Sequence, residues 1–425
     1  MTQLRISISS SREQFDAFAA RLAQELDADM VLSSPGYPAE TTSVVGVHPE
    51  QELLFTEQTT PEAVKHFCFD TPGVALGYVS YTYGMLLRGI ASDKPNNFPL
   101  GHLKKYRGWV EYNAEQGATV ISAADQSMLD DLADRLNTAL GSAPMLPVKG
   151  LPKGAPVVSL DQAGYEAGVS ETLERILSGH TYQLNLSTKF SWNCPDLDPL
   201  ALLLVLRRDH PAPFYAWMQS GQHRVLSTSP ERFIRVSDGH VLSQPIKGTL
   251  RVDKHTPEAE AQLVNSPKER AELSMIVDLI RNDISANCEY GSVEVRNHLS
   301  VFAVDTLLQM YSDVHGKLRA GRDCLDLFFD AFPGGSITGC PKLSSMTIIE
   351  ELEPHSRGLY CGSMVVIRDE RNMDSSIAIR TAVHDTDSGA FDLYAGSGIV
   401  VDSDPAKEYQ ETMAKAEKFL TLGDA

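Results

Sequence analysis

Tyr182-Gln183-Leu184-Asn185-Leu186-Ser187 alternates apolar and polar residues at every step, so an extended chain puts Tyr182, Leu184 and Leu186 on one face and Gln183, Asn185 and Ser187 on the other. The polar face reads either as the lining of a site or as the solvent side of a half-exposed strand, and the pattern leaves both open. Upstream, Tyr165, Val169, Leu173 and Ile176 recur at helical spacing and Gly179 follows as a stop, so a helix feeds this strand. Earlier still, the stretches 74–81, 109–112 and 118–122 read as strands and 126–140 as a helix. Helices and strands follow no strict βαβ order and no repeat of 20–50 residues appears, which predicts an α+β fold. Gly141 to Pro156 carries Pro144, Pro147, Pro152 and Pro156 with Gly141, Gly150 and Gly154, a density that excludes a helix or central strand. It is read as a connector at 141–156 between an N-terminal region, 1–140, and a second region, 157–425.

The composition bounds the function. In 425 residues, 37 Lys and Arg face 56 Asp and Glu, a net charge of −19, and 42% of positions are hydrophobic. Such a surface repels phosphates, so no nucleic-acid partner is expected. The longest basic cluster, Lys104-Lys105-Tyr106-Arg107, reads as a solvated turn. No apolar run approaches the ~18 residues that span a bilayer, so no membrane partner is expected either. The opening MTQLRISISSSREQFDAF mixes charges early without an apolar core, which predicts no secretory signal and a cytoplasmic location. Six cysteines with no C-x-x-C pair suggest neither a zinc site nor a disulfide framework.

Several segments carry chemistry. Ser266-Pro267-Lys268-Glu269 starts a helix with the elements of a capping box, which makes Glu269 structural. Glu272 falls on or beside that helix's apolar stripe with Met275, Ile276 and Leu279; it is a metal ligand or half of a buried ion pair, with Arg281 or another cation as its partner. A second capped helix begins at Ser403-Asp404-Pro405. It sets Glu408 and Glu411 on one face and Tyr409, Met413, Ala416 and Leu420 on a buried stripe. First-turn carboxylates suit Mg²⁺, but Glu411 can equally pair with Lys415. Glycine-rich loops are expected at 332–342 and at Ala395-Gly396-Ser397-Gly398-Ile399; the first lacks the G-K-[ST] of a nucleotide P-loop. Lys247, in Pro245-Ile246-Lys247-Gly248-Thr249, is a desolvated nucleophile or an exposed turn residue. Glu231 and Arg380 are surface ion-pair residues or, for Arg380 at the end of an apolar strand, a bidentate carboxylate binder.

Taken in order, Tyr182 to Leu186, Ser229-Pro230-Glu231-Arg232-Phe233, Pro245 to Thr249, Val277-Asp278-Leu279-Ile280-Arg281-Asn282-Asp283, Pro333 to Gly339, Ile377 to Thr381, Gly396 to Val400 and Glu408-Tyr409-Gln410-Glu411-Thr412 resemble the chorismate-utilising enzymes, and among them the aminodeoxychorismate synthase component I branch. A weaker likeness in Gly77-Tyr78-Val79-Ser80-Tyr81 extends it into the N-terminal region. The resemblance implies an anthranilate synthase component I-like fold, two stacked antiparallel β-sheets with helices outside, in which the connector need not divide two domains. It implies Mg²⁺ held by Glu272 and Glu411 with Glu408 assisting, and Arg380 and the backbone at Gly396 and Gly398 holding a substrate carboxylate. Thr249, Thr338 and Lys415 are implied as further substrate contacts. Glu231 is implied as the general acid on the C4 hydroxyl and Lys247 as the nucleophile at C2.

Gln183 stands where the water-adding branch has a lysine base, and Lys247 where anthranilate synthases have a small residue; both point to C4 amination. Ammonia then comes from a separate glutamine amidotransferase subunit, since the chain has no G-x-C-x-G nucleophile motif. The alternatives are anthranilate synthase component I and a non-catalytic chorismate-binding paralogue. Gln309 replaces a histidine usual in the family, Cys340 an alanine and Ser344 an arginine.

Overall fold

The computed structural model describes residues 3–34, 37–38, 42–139, 147–210, 212–252, 254–304 and 307–423. Part of the expected connector, 141–146, and the last residue of the helix expected at 126–140 lie outside them; 147–156 contains neither helix nor strand.

The long strand Gly101–Asn113 belongs to two sheets. Along one edge it pairs with Val44–Leu54, and from there the first sheet runs through Asp29–Ser33, Phe214–Ser220, His223–Ser229, Thr381–Asp385 and Ala390–Ile399 to Gln183–Asn193. Along the other edge it pairs first with Ala75–Val79, which leads through Ser363–Asp369, Asn372–Ile377, Arg232–Ser237 and His240–Gln244 to Leu307–Lys317. All these pairings are antiparallel. The two sheets stack face to face over Val31, Val44, Ala216, Met218 and Val225 from one and Leu76, Tyr78, Met364 and Val366 from the other. Strands from before and after the connector share both sheets. No helix among the described residues is long and apolar enough to cross a membrane.

Helices pack outside the stack. Gln162–Leu177, capped by Asp161 and stopped at Gly179 with φ of 77°, buries Tyr165 and Val169 against Leu184 and Leu186. Pro405–Leu420 lies against Ala390–Ile399 and the helix Gln162–Leu177. Its buried residues are Glu408, Thr412, Ala416 and Phe419, not the expected Tyr409–Met413–Ala416–Leu420 stripe, so Glu408 is turned inward. Pro267–Ser285 packs on Leu307–Lys317 and Ile246–Arg251.

Three further expectations are corrected. Lys104-Lys105-Tyr106 is no turn: it lies in Gly101–Asn113, buried, where Lys104 Nζ pairs with Asp29 Oδ2 at 2.9 Å and Tyr106 donates to the same oxygen at 2.8 Å. Ala395 to Ile399 is no loop: Gly396 pairs with Ser187 and Gly398 with Asn185 inside the sheet. Tyr81 opens the short helix Tyr81–Leu87 instead of ending a strand.

A buried ion pair ties the stack together beneath the strand Gln183–Asn193. Arg357 donates to Glu353 through Nε (2.9 Å) and Nη2 (2.7 Å), to the Ile337 carbonyl (3.1 Å) and to the Asn185 carbonyl (2.6 Å). Ser187 gives Glu353 Oε1 both its N–H and its hydroxyl, each at 2.8 Å. Glu353→Ala strands the guanidinium in the interior, and the expected loss is about 3–5 kcal/mol of unfolding free energy in urea titration, against less than about 0.5 kcal/mol for an exposed control such as Glu258→Ala.

Candidate active site

The site forms where the chain crosses between the two sheets. Pro230-Glu231 links His223–Ser229 in the first sheet to Arg232–Ser237 in the second, and Ala378-Ile379-Arg380 makes the return crossing to Thr381–Asp385. The crossings are stitched together: the Ile377 N–H bonds the Glu231 carbonyl at 3.0 Å, and the Thr228 N–H bonds the Arg380 carbonyl at 3.1 Å. Arg380 is therefore in a link, not at the end of a strand, and takes a left-handed φ of 49°.

Glu231 is only 6% exposed, which removes the surface ion-pair reading. Its Oε1 accepts from Ser336 Oγ at 2.8 Å. Burial pushes its pKa up to about 7 against the opposing pull of Lys247, Ser336 and Lys415. A carboxyl titrating there can hold a proton at neutral pH and deliver it.

Gln183, Asn185 and Ser187 are all buried, so the half-exposed strand reading falls as well. Among the described residues Gln183 Oε1 has no hydrogen-bond partner. A β-carbon added to Gly398 would lie 3.2 Å from Gln183 Nε2 and 3.4 Å from Lys247 Nζ, so the missing side chain leaves room where these two groups meet. Lys247 is half-buried next to a register break in its strand, and Gly248, at φ of 77°, has its open side against Glu269. At Gly396 an added β-carbon would meet the Leu186 carbonyl at 2.3 Å, and its own carbonyl accepts from Lys415 Nζ at 3.1 Å.

Two helices bring the carboxylates. Pro267–Ser285 carries Glu269 and Glu272, and Pro405–Leu420 carries Glu408 and Glu411. Ser266 caps the first helix by accepting the Glu269 N–H at 3.5 Å, but its own N–H goes to the Leu263 carbonyl at 3.2 Å. The reciprocal half of the expected capping box is thus absent, and the Glu269 carboxylate joins the acidic cluster; burial raises its pKa. The cation beside Glu272 is Lys268, whose Nζ stands 3.8 Å from Glu272 Oε1 and 3.9 Å from Glu408 Oε1; Arg281 pairs with Asp278. Glu408 is also held by Ser403 Oγ at 2.7 Å. Glu411 makes the expected pair with Lys415, at 2.7 Å. Burial raises the Glu272 pKa and its neighbours Glu269 and Glu411 push the same way, against Lys247 and Lys268. For Glu411, Lys415 with Lys247 and Lys268 outweighs burial and holds the carboxyl low.

Among the described residues no group of three or more His, Cys, Asp or Glu is drawn together tightly enough to hold a metal ion as it stands. The donor chemistry nevertheless suits a hard divalent cation: the oxygens are carboxylate oxygens, their charge is in excess, and the Lys268 ammonium stands in for a cation between Glu272 and Glu408. The remaining candidates divide. Thr338 is buried and spends its hydroxyl on the Gly334 carbonyl (2.8 Å), so it shapes the 334–339 loop. Thr249 is exposed on Ile246–Arg251. Gln309, which the resemblance sets where a histidine is usual, has its Oε1 buried without a partner among the described residues.

Residues 9–421 match the family model for chorismate binding enzymes. The chain is 39% identical over 259 residues to the anthranilate synthase component 1 of Aquifex aeolicus, which covers 60% of this chain and 52% of that protein. It is 44% identical over 247 residues to the aminodeoxychorismate synthase component 1 of Klebsiella aerogenes, covering 57% and 54%. These matches span about half the length of those relatives. The crystal structure of anthranilate synthase component I from Streptococcus pneumoniae superposes with a TM-score of 0.77 at 26% identity, over 92% of this chain and 94% of that one.

The raised Glu231 pKa sets a stability test. With the folded value near 7 and the ordinary one at 4.5, the neutral carboxyl favours folding below about pH 4.5 and that advantage is lost as pH rises through 7. Glu231→Gln is therefore expected to match wild type near pH 4 and to become more stable above it, by as much as about 3 kcal/mol once pH exceeds 7, in thermal melts from pH 4 to 8.

Proposed function

Because this chain belongs to the chorismate-binding enzymes, we propose that it aminates chorismate at C4, the reaction of an aminodeoxychorismate synthase component 1, with ammonia supplied by a separate glutamine amidotransferase subunit. The observation that carries this reading is the meeting of Lys247 with Gln183 at Gly398, next to a Glu231 that keeps a proton near neutral pH. An amine and a proton donor on one substrate suit displacement of a hydroxyl, which leaves only when protonated.

In this mechanism the Lys247 nitrogen forms a bond to C2 through its lone pair, the two ring double bonds shift, and the C4–O bond breaks as Glu231 donates its proton to the departing water. Ammonia then bonds to C4, the double bonds shift back, and the Lys247–C2 bond breaks to release the amine. Gln183 has no basic nitrogen with which to activate water, which argues against a water-adding reaction. Glu272 and Glu411, with Glu408, would hold Mg²⁺, which supplies a grip on a substrate carboxylate. Arg380 would bind the second carboxylate and Lys415 the neighbouring polar groups.

Lys247→Ala is expected to lose 4-amination by about 10²-fold or more, measured by chromatography with mass detection after incubation with chorismate, Mg²⁺ and ammonium. Full activity in that variant refutes the nucleophile. In the same assay, chelation of Mg²⁺ and Glu272→Gln are each expected to abolish turnover; activity that survives both removes the metal from the mechanism. The likeness to the Aquifex aeolicus anthranilate synthase supports a second reading, amination at C2 with release of pyruvate. Anthranilate as the product would decide for it.

A further inference from the structure

Helix Pro405–Leu420 carries Glu411, Lys415 and Lys418 at i, i+4 and i+7, on one face and in a row about 10 Å long. Glu411 belongs to the acidic cluster, and Lys415 reaches back to it and to the Gly396 carbonyl. Lys418 turns elsewhere: its ammonium donates to Thr228 Oγ1. Thr228 in turn gives its hydroxyl (2.9 Å) and its N–H (3.1 Å) to the Arg380 carbonyl. One threonine thus ties Lys418 to the Arg380 backbone and holds that arginine in a left-handed conformation that a non-glycine residue rarely adopts. Such an outlier survives where its surroundings impose it, and it invites a functional reading.

The charges are the second observation. Arg232 pairs with Asp374, Arg357 with Glu353, Lys104 with Asp29 and Lys342 with Asp283, each buried or half-buried cation against its own acid. Arg380 and Lys418 have no such partner among the described residues. Burial alone depresses Arg380, and burial together with Arg380 depresses Lys418 well below the ordinary lysine value. The Phe419 ring, 5.4 Å from the Lys418 ammonium, carries no charge. Two half-buried cations joined through one threonine, neither with an acid partner among the described residues, are an arrangement that an anion would complete.

We propose that Arg380 and Lys418 together form a two-cation pocket for one carboxylate of the substrate, which makes Lys418 a substrate-binding residue alongside Arg380. The pocket lies one helical turn beyond Lys415 and two beyond the acidic cluster, so a dicarboxylate would meet the metal-binding carboxylates at one end and the cation pair at the other. This rests on the chorismate reading only for the identity of the ligand.

Binding of chorismate, followed by calorimetry with Mg²⁺ and no ammonia, is expected to weaken by about ten- to a hundredfold in Lys418→Met and to stay within about threefold of wild type in Lys418→Arg. Thermal melts of the ligand-free proteins separate binding from a structural role. Removing one of two half-buried like charges that lack an acid partner raises the midpoint in Lys418→Met, whereas removing a structural lysine lowers it. Malonate, a dicarboxylate unlike chorismate in every other respect, is expected to raise the midpoint of wild type more than that of Lys418→Met. Unchanged chorismate affinity in Lys418→Met, or a lowered midpoint with an undiminished malonate response, overturns the pocket. A wild-type protein that responds to malonate but does not bind chorismate keeps the pocket and overturns the chorismate reading instead.

Discussion

Arg357 is the cation on which the geometry of the site depends. It is fully enclosed, so its donors must be met by the protein, and they are met by three segments far apart in sequence: Glu353 beside it, the Ile337 carbonyl of the glycine-rich loop and the Asn185 carbonyl of the strand Gln183–Asn193. Tyr81 and Tyr360 flank the guanidinium, with its carbon 4.8 and 5.6 Å from their ring centres. A satisfied network in a low-dielectric interior favours one arrangement of the chains that join it. The arrangement here places Ser336 against Glu231 and turns Gln183 and Asn185 towards Gly398.

Around that anchor the charges are sorted. Glutamates from two helices gather around Lys268 and Lys415, and Lys418 and Arg380 are joined through Thr228 farther along the same helix. Among the described residues each group carries an excess of one sign. That costs stability, and the cost is the usual sign of a surface built to receive charge from a ligand. Crossing strands between two stacked sheets explains why Glu231 and Arg380 come from links, where the backbone leaves the ladder, while Lys247 and Gln183 are presented by strands.

Much of this was legible from short-range signals. The starts of both acidic helices followed from Ser266-Pro267 and Asp404-Pro405, the strand after Gly179 from its alternation, and the Glu411–Lys415 pair from helical spacing, because each depends on residues within one turn. What was missed depends on distant partners. Lys104 looked solvated because its acid, Asp29, lies 75 residues away. Gly396 and Gly398 looked like a loop because the reason for two glycines is the close approach of the strand Gln183–Asn193, over 200 residues earlier in the chain. Glu269 looked like a cap because the local pattern fits one, and Lys418 carried no signal until Thr228 and Arg380 were brought beside it. The family likeness supplied roles for individual residues that spacing alone left between two readings.

The central claim is the position at which the ring is aminated. Incubating the purified protein with chorismate, Mg²⁺ and ¹⁵N-labelled ammonium, and locating the label by NMR, reads that position directly and needs no partner subunit. The account predicts nitrogen on C4 of a ring that keeps its enolpyruvyl group. Label on an aromatic ring beside the carboxylate, with pyruvate in solution, or chorismate recovered unlabelled, would contradict it.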